Sequence, residues 1–349
     1  MIKSFSKANK FTQMNNSTMP YFFHFNKSTQ SPYFSYFVLL IFCVFFFCFI
    51  FNGYYGHIFA QTGFTTLRTS SGETDSLYRE MLSSVEGAIS ISADVRQQIH
   101  IFGQDYTATG EYNELKPTEL RGTGAASFRL DMRVESPTDA TEPRHYNSLT
   151  IVCDNTNNYI YRYFSIEGEK RLERIEIKRM VEAIEKQGRH DIPTEVGSMF
   201  GLGGLAGMLR EMRNRYDFMT EPATTQINEK SSNGKSQAIT VWKIHGTLKP
   251  EIVRKMTAEV SGNQQTIPKH TPTAIDIYIG MGDRFPYRFD YYWSADGTDS
   301  NAAPYAYLLF YNIVLHEPHN ISKSIFDYRP PGNIPPNDIT DRIVNQLLH

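Results

Sequence analysis

The chain has 349 residues, of which 40% are hydrophobic and 21% are charged, and its formal net charge is −2. This composition is typical of a folded globular protein and excludes a wholly disordered one. A nearly neutral chain also lacks the basic excess that nucleic-acid-binding proteins carry, so nucleic acid is not expected as a partner.

The N-terminal region differs from the rest because residues 1–72 contain lysines but no Asp or Glu. Residues 1–32 are rich in Asn, Ser and Thr, which is typical of a flexible leader. The uncharged run 33–51, YFSYFVLLIFCVFFFCFIF, follows. As a helix this run extends about 28 Å, close to the roughly 30 Å hydrocarbon core of a bilayer. We therefore predict a transmembrane signal-anchor or signal-peptide helix over 33–51, preceded by a cytoplasmic leader.

The charges that flank this run predict its orientation. Four lysines precede it, whereas Arg68 is the only charged residue between positions 52 and 72. The positive-inside rule therefore predicts that everything after residue 51 is exported to the periplasmic side of the membrane. Residues 52–73 indicate a polar linker. Ala60 offers a small residue for cleavage but Ile58 interrupts the small-x-small pattern, so anchoring by 33–51 and release after cleavage near Ala60 both stay open.

The exported part has to fold without a disulfide. Cys153 is its only cysteine, and an intramolecular disulfide needs two. The fold of residues 74–349 must therefore depend on its hydrophobic core, which a domain of this length is large enough to form.

The first elements of this domain follow from the spacing of the apolar residues. An amphipathic helix is predicted around residues 74–85, with Thr74 or Asp75 as its cap. The period then changes to two over 93–101 and 126–134, which indicates strands with one buried face. Two further strand runs flank the turn cluster at 154–158, DNTNN, and predict a hairpin that residues 172–177 extend.

The second half of the domain mixes helices with strands. Helical spacing recurs from 177 to 184 and again from 202 to 212, where the apolar face consists of Leu202, Leu205, Leu209 and Met212. A strand at 239–244 and a short helix with Pro250 in its first turn come next. Strands are then predicted at 275–281, 285–293 and 305–315, the last two with large rings on one face, the rings of the last at Tyr305, Tyr307 and Tyr311.

The C-terminal segment FDYRPPGNIPPN is predicted to close the sheet. Phe326 to Arg329 form a short edge strand in this interpretation, and Pro330 and Pro331 end it because proline has no N–H donor. A final helix follows from Asp338. Runs of strands interrupted by helices indicate an α+β fold, in which helices bury their apolar faces against one curved antiparallel sheet.

Motifs for chemistry are weak in this sequence. The segment Gly201–Gly207, GLGGLAG, is not flanked like a phosphate-binding loop; a closely packed helix start or a movable flap fits it better. The histidines lack metal-ligand spacing, no G-x-S-x-G motif is present, and Cys153 on an apolar strand indicates an inert core residue. We predict no enzyme activity, no metal and no cofactor.

An opening amphipathic helix, the hairpin IVCDNTNNYIYRY, helical inserts, aromatic strands and the closing segment FDYRPPG together resemble the bacterial outer-membrane lipoprotein carrier and sorting (LolA-like) family over residues 74–340. The resemblance implies an incomplete antiparallel β-barrel whose open side is covered by helices around a cavity for acyl chains. It also implies binding without catalysis, with 326–331 as the terminal strand. The extra helices between 176 and 215 depart from the family pattern.

We therefore expect an exported protein that binds lipid or lipoprotein acyl chains and reaches the membrane through its N-terminal segment, with cell-envelope proteins as further partners. The aromatic strands fit either an ordinary core or the wall of such a cavity. An envelope structural or sensor module that binds a protein partner is the alternative. The residues expected to line the cavity or its lid are Leu202, Leu205, Leu209, Met212, Phe128, Leu130, Met132, Phe289, Tyr291 and Trp293.

Overall fold

A computed structural model describes most of the domain. The described residues are 72–101, 104–116, 126–135, 146–154, 157–166, 168–188, 203–230, 236–259, 272–293, 303–315, 321–329 and 334–348. The predicted leader and the hydrophobic helix over 33–51 lie outside these ranges. Within them, no helix is long and apolar enough to cross a membrane.

One sheet dominates the part of the domain described. Its strands are β1 Ser90–Ile101, β2 Gln104–Leu115, β3 Ser127–Glu135, β4 Tyr146–Asp154, β5 Tyr159–Ile166, β6 Glu169–Glu176, β7 Tyr216–Phe218, β8 Ala223–Lys230, β9 Ser236–Leu248, β10 Ala274–Gly280, β11 Pro286–Tyr292, β12 Ala306–Leu315 and β13 Asn337–Asp338. The order is β13-β6-β5-β4-β3-β2-β1-β12-β11-β10-β9-β7, with β8 also paired to β9. This path does not return to its first strand, so the sheet is open.

The sheet is antiparallel except at one end, where β13 pairs in parallel with β6. Sequential hairpins join β1 through β6, and the pairing of β1 with β12 links them to the C-terminal strands. The predicted hairpin is confirmed: β4 and β5 pair with Asp154 opposite Tyr159, and Asn158 adopts a left-handed conformation at the turn. Asp154 accepts hydrogen bonds from the backbone and side chain of Asn157 there.

Five α-helices accompany the sheet in the described residues: α1 Gly72–Gly87, α2 Ile177–Lys186, α3 Gly204–Arg215, α4 Pro250–Glu259 and α5 Thr340–Leu348. Side chains of α1, α2, α3 and α5 join one buried apolar cluster with the strands. The strand side of this cluster, which we call the inner face, includes Val95, Leu130, Ile151, Phe289 and Phe310. The predicted α+β arrangement, helices against one face of an antiparallel sheet, is confirmed.

The prediction of which face of β12 is buried is wrong. Tyr305, Tyr307 and Tyr311 were expected on the buried face, but Ala306, Leu308 and Phe310 point to the core, and Tyr305 is buried just before the strand begins. Both faces of this strand are apolar or aromatic, so alternation alone does not select the buried one. A bulge at Asn312 then inserts one residue opposite β1; Asn312 has a φ of 51°, and its amide donates to Asp94 at 2.6 Å.

The prediction that Phe326 to Arg329 form the closing strand is wrong. A short 3₁₀ helix, Lys323–Ile325, precedes these residues, and Phe326 packs against Val152 on the outer face of the sheet. The Arg129 guanidinium donates to the Ile325 carbonyl at 3.0 Å. The end of the sheet is instead occupied by β13, after the second proline pair. The segment is held by side-chain burial and this hydrogen bond rather than by a strand ladder.

Candidate functional site

The predicted cavity residues lie on the inner face and on helix α3. Eight of the ten are buried in the apolar cluster: Leu205, Leu209, Met212, Phe128, Leu130, Met132, Phe289 and Tyr291. Leu202 lies outside the described residues. Trp293 follows the end of β11, is 41% exposed, and its ring lies tilted against that of Tyr305 with centroids 5.5 Å apart. The structure therefore brings the helix and strand residues together and leaves Trp293 at the surface.

Helix α3 covers part of the inner face together with α1. Its apolar residues recur at helical spacing, so one side of the helix is buried. The Tyr78 hydroxyl of α1 donates to the Leu209 carbonyl at 2.6 Å. At the surface, the Arg210 guanidinium lies 2.5 Å from Glu86, and Arg213 pairs with Asp75. The two helices are thus joined by one buried hydrogen bond and by exposed or partly exposed ion pairs, which are individually weak.

A buried carboxylate fixes the start of α3 to the sheet. Glu114 on β2 is fully buried, and its Oε2 accepts hydrogen bonds from the Tyr112 hydroxyl at 2.5 Å and from the Leu205 backbone N–H at 2.9 Å. Its Oε1 has no hydrogen-bond partner among the described residues. Burial raises the pKa of the Glu114 carboxyl above its ordinary value of 4.5, and these two hydrogen bonds and Lys116 oppose the shift.

The glycine segment makes this contact sterically feasible. Gly204 opens α3 with a φ of 58°, a left-handed conformation that favours glycine. A Cβ at this position would lie 2.5 Å from the Glu114 carboxyl carbon. From Gly203 onward, where the structure describes the segment, it is therefore a closely packed helix start, as one of the sequence alternatives predicted. The Leu205 amide is occupied by the Glu114 carboxylate, which leaves it unavailable to a phosphate.

A second polar group lies on the inner face near the end of the sheet that β13 occupies. The Glu173 side chain on β6 is 2% exposed and contacts three guanidinium groups. Arg162 of β5 lies at 2.8 Å, Arg342 of α5 lies at 3.3 Å, and Arg171 of β6 also pairs with it. This group, which we call the arginine cluster, joins β5, β6 and α5.

The outer face carries a separate polar network across β9, β10 and β11. Asp276 is bonded by Lys243 at 2.7 Å and by His245 at 2.6 Å, and Asp290 is bonded by Arg288 at 2.5 Å. Burial tends to raise the pKa of the Asp276 carboxyl, but the hydrogen bonds from His245, Lys243 and Tyr292 lower it overall. Each acid is balanced by an adjacent base, so the network indicates structural support for the outer face.

Other chemistry is weakly represented in the described residues. No group of three or more His, Cys, Asp or Glu side chains there is arranged to hold a metal ion. Cys153 is fully buried on β4, and burial raises the pKa of its thiol. A buried thiol with a raised pKa is a poor nucleophile, because the thiolate is the reactive form.

Sequence reasoning missed both polar groups on the inner face. Glu114 belongs to β2, a strand that the sequence analysis did not predict. The arginine cluster combines residues that are up to 180 positions apart. Local periodicity gives no signal for such a contact.

Comparisons with known proteins give only remote likenesses. No known protein family matches the chain, and no curated protein matches it. Among solved structures, it is similar to a putative outer-membrane lipoprotein-sorting protein domain from Vibrio parahaemolyticus, with 12% identity, a TM-score of 0.28 and coverage of 72% of this chain and 95% of that one.

Two further structures are similar to a comparable degree. The Mycobacterium tuberculosis lipoprotein LppX shares 13% identity with a TM-score of 0.29, over 72% of this chain and all of that one (100%). A LolA superfamily protein from Nitrosomonas europaea shares 9% identity with a TM-score of 0.22, over 73% of this chain and 98% of that one. The family that the sequence resembles is among these likenesses, but with TM-scores below 0.5 none of them decides the fold or the function of this chain.

Proposed function

We propose that this chain is an exported, non-catalytic protein of the cell envelope that binds the acyl chains of lipids or lipoproteins between the inner face of its sheet and helices α1 and α3. The observation that carries this proposal is the way α3 covers the inner face. The helix contributes an apolar side of Leu205, Leu209 and Met212, all buried against the sheet.

Helix α3 has the properties of a cover that an acyl chain can replace. Its surface ion pairs to α1 are individually weak, and its N-terminus is attached to the sheet by the Glu114 contact. When α3 moves away, an acyl chain lies against apolar inner-face residues such as Phe128, Leu130 and Met132. Each buried methylene contributes about 0.8 kcal/mol, so a long chain gains on the order of 10 kcal/mol before ordering costs.

The cellular location in this proposal rests on the N-terminal sequence. Lysines before the run 33–51 and the absence of acids up to residue 72 favour export of the domain. A protein that remains anchored by this run acts at the membrane surface, whereas one cleaved near Ala60 is free to diffuse. Acyl-chain binding by the domain is compatible with both the anchored and the cleaved form, and no cofactor is required for it.

Photo-crosslinking tests the location of the ligand. The full-length chain in its native membranes is incubated with a fatty acid that carries a diazirine in its chain, irradiated, and analysed by peptide mass spectrometry. We expect labels on α3 and on β3, and competition by unlabelled palmitate. Labels confined to the outer face, for example at Tyr307 or Tyr328, or no labelling at all, would contradict the proposal.

A further inference from the structure

The arginine cluster contains more positive than negative charge. Its three guanidinium groups all contact Glu173, and among the described residues the ion pairs of Arg171 and of Arg342 are to this carboxylate. Glu169 lies two positions before Arg171 on the same face of β6 and is exposed. Among the described residues of the cluster there are thus three arginines, the buried Glu173 and the exposed Glu169.

The cluster is also accessible from solvent. The side chain of Arg171 is 57% exposed and that of Arg342 is 50% exposed, whereas Glu173 beneath them is 2% exposed. A guanidinium carries five N–H donors, and one carboxylate offers about four lone-pair sites to three such groups. Arg171 and Arg342 therefore present donors toward solvent above a buried, fixed anion.

The apolar cluster begins directly beside these charges. Phe164 is opposite Arg171 across β5 and β6, and the Arg162 guanidinium lies 5.5 Å from the centre of its ring. Phe164 belongs to the buried apolar cluster, as does Ile343, which follows Arg342 on α5. The accessible cationic side chains thus lie directly beside the apolar interior at this edge of the inner face.

We propose that the arginine cluster binds the anionic group, a carboxylate or a phosphate, of an amphiphile whose acyl chain lies against the inner face. This inference rests on the proposed function and narrows it from acyl chains in general to those with an anionic head. Arginine suits the task because its planar fork matches carboxylate and phosphate oxygens in pairs. In this proposal Glu173 orients the guanidinium groups and holds them beside the apolar cluster.

The test compares two photo-probes of equal chain length and diazirine position, a fatty acid and the corresponding fatty alcohol, on the full-length chain in a non-ionic detergent. The double variant Arg171→Gln/Arg342→Gln removes two accessible cations. We expect its apparent dissociation constant for the acid to rise about tenfold, since a charge-assisted hydrogen bond is worth that much or more. The apparent dissociation constant for the alcohol should change less than twofold. Arg329→Gln, at an arginine that is 88% exposed and pairs with Asp327 instead of Glu173, is the matched control and should leave both dissociation constants unchanged.

The outcomes separate this inference from the proposed function. If both probes bind and the double variant leaves the acid unchanged, or weakens both probes equally, the arginine cluster is not a head-group site while acyl-chain binding stands. If neither probe labels the wild-type protein, both proposals fail. If inorganic phosphate displaces the acid at equal concentration, the site takes the free anion and the amphiphile proposal is overturned. Should the double variant lower the melting temperature, the single Arg171→Gln substitution gives the same comparison with one exposed side chain changed.

Discussion

At the scale of single residues, Glu114 links the sheet to the helix that covers it. Burial of a carboxylate favours its neutral form, which is why the pKa of Glu114 is raised. The folded protein therefore holds this proton more strongly than the unfolded chain does. The stability that this group contributes is fully present below the ordinary carboxyl pKa of 4.5 and is lost as pH rises through the raised pKa of the folded state.

The substitution Glu114→Gln tests this dependence. Glutamine keeps an oxygen that accepts from Tyr112 and Leu205 but does not ionise. We expect the free energy of unfolding of the variant, minus that of the wild type, to increase as pH rises from about 5 to about 8. Urea denaturation at several pH values measures it. A difference that is constant with pH would show that Glu114 does not titrate in this range.

Gly204 is the second residue on which the position of α3 depends. Alanine at this position requires a left-handed backbone and places a Cβ against the Glu114 carboxyl group, so we expect Gly204→Ala to destabilise the protein by about 1–3 kcal/mol. Gly87→Ala is the matched control, because a Cβ there meets no atom within 4 Å. Urea denaturation of both variants checks the prediction, and equal effects would contradict it.

At the scale of elements, the sequence predicted strands and helices well where the apolar period was strong. Helices α1, α2 and α3 were found because Leu, Ile, Val and Met recur at helical spacing on their buried faces. The hairpin β4–β5 was found because two strand runs flank the turn cluster at 154–158. β2 was missed because three of its inward positions are Ala108, Gly110 and Glu114, which give no apolar alternation. Glycine at position 110 permits the neighbouring strand to approach closely, because a Cβ there would lie 1.8 Å from the Asp131 carbonyl oxygen.

The candidate site was predictable only in part for the same reason. The buried faces of α3 and β3 follow from local spacing, so Leu205, Leu209, Phe128 and other apolar members were anticipated. The polar contacts depend on strand register and on helix placement over long sequence separations. Glu114 and Leu205 are 91 positions apart, and no local pattern specifies their contact.

The C-terminal segment gives a prediction at the scale of elements, because it packs on the outer face and not at the candidate site. Phe326 is 3% exposed beside Val152 and Ile321. We expect Phe326→Ala to lower the free energy of unfolding by about 3 kcal/mol through the cavity it leaves, while acyl-probe labelling of folded protein stays unchanged. Phe326→Leu, which retains most of the apolar area, should lower the free energy of unfolding by less. Loss of labelling in protein that remains folded would place this segment in the binding site.

At the scale of the whole molecule, an open sheet and its covering helices form one apolar interior with two polar groups at separate places. Glu114 fixes the start of α3, and the arginine cluster lies beside the apolar cluster at β5, β6 and α5. In the account proposed above, the first attaches the covering helix to the sheet, and the second receives the anionic head group of the ligand.

Native mass spectrometry of the full-length protein, extracted from the membranes in which it was made, tests acyl-chain binding most directly. We predict that the protein retains a lipid or fatty acid of defined mass in a one-to-one ratio, and that a fluorescent fatty acid displaces this ligand. Protein that is folded, carries no lipid and binds no fluorescent fatty acid would contradict the central claim.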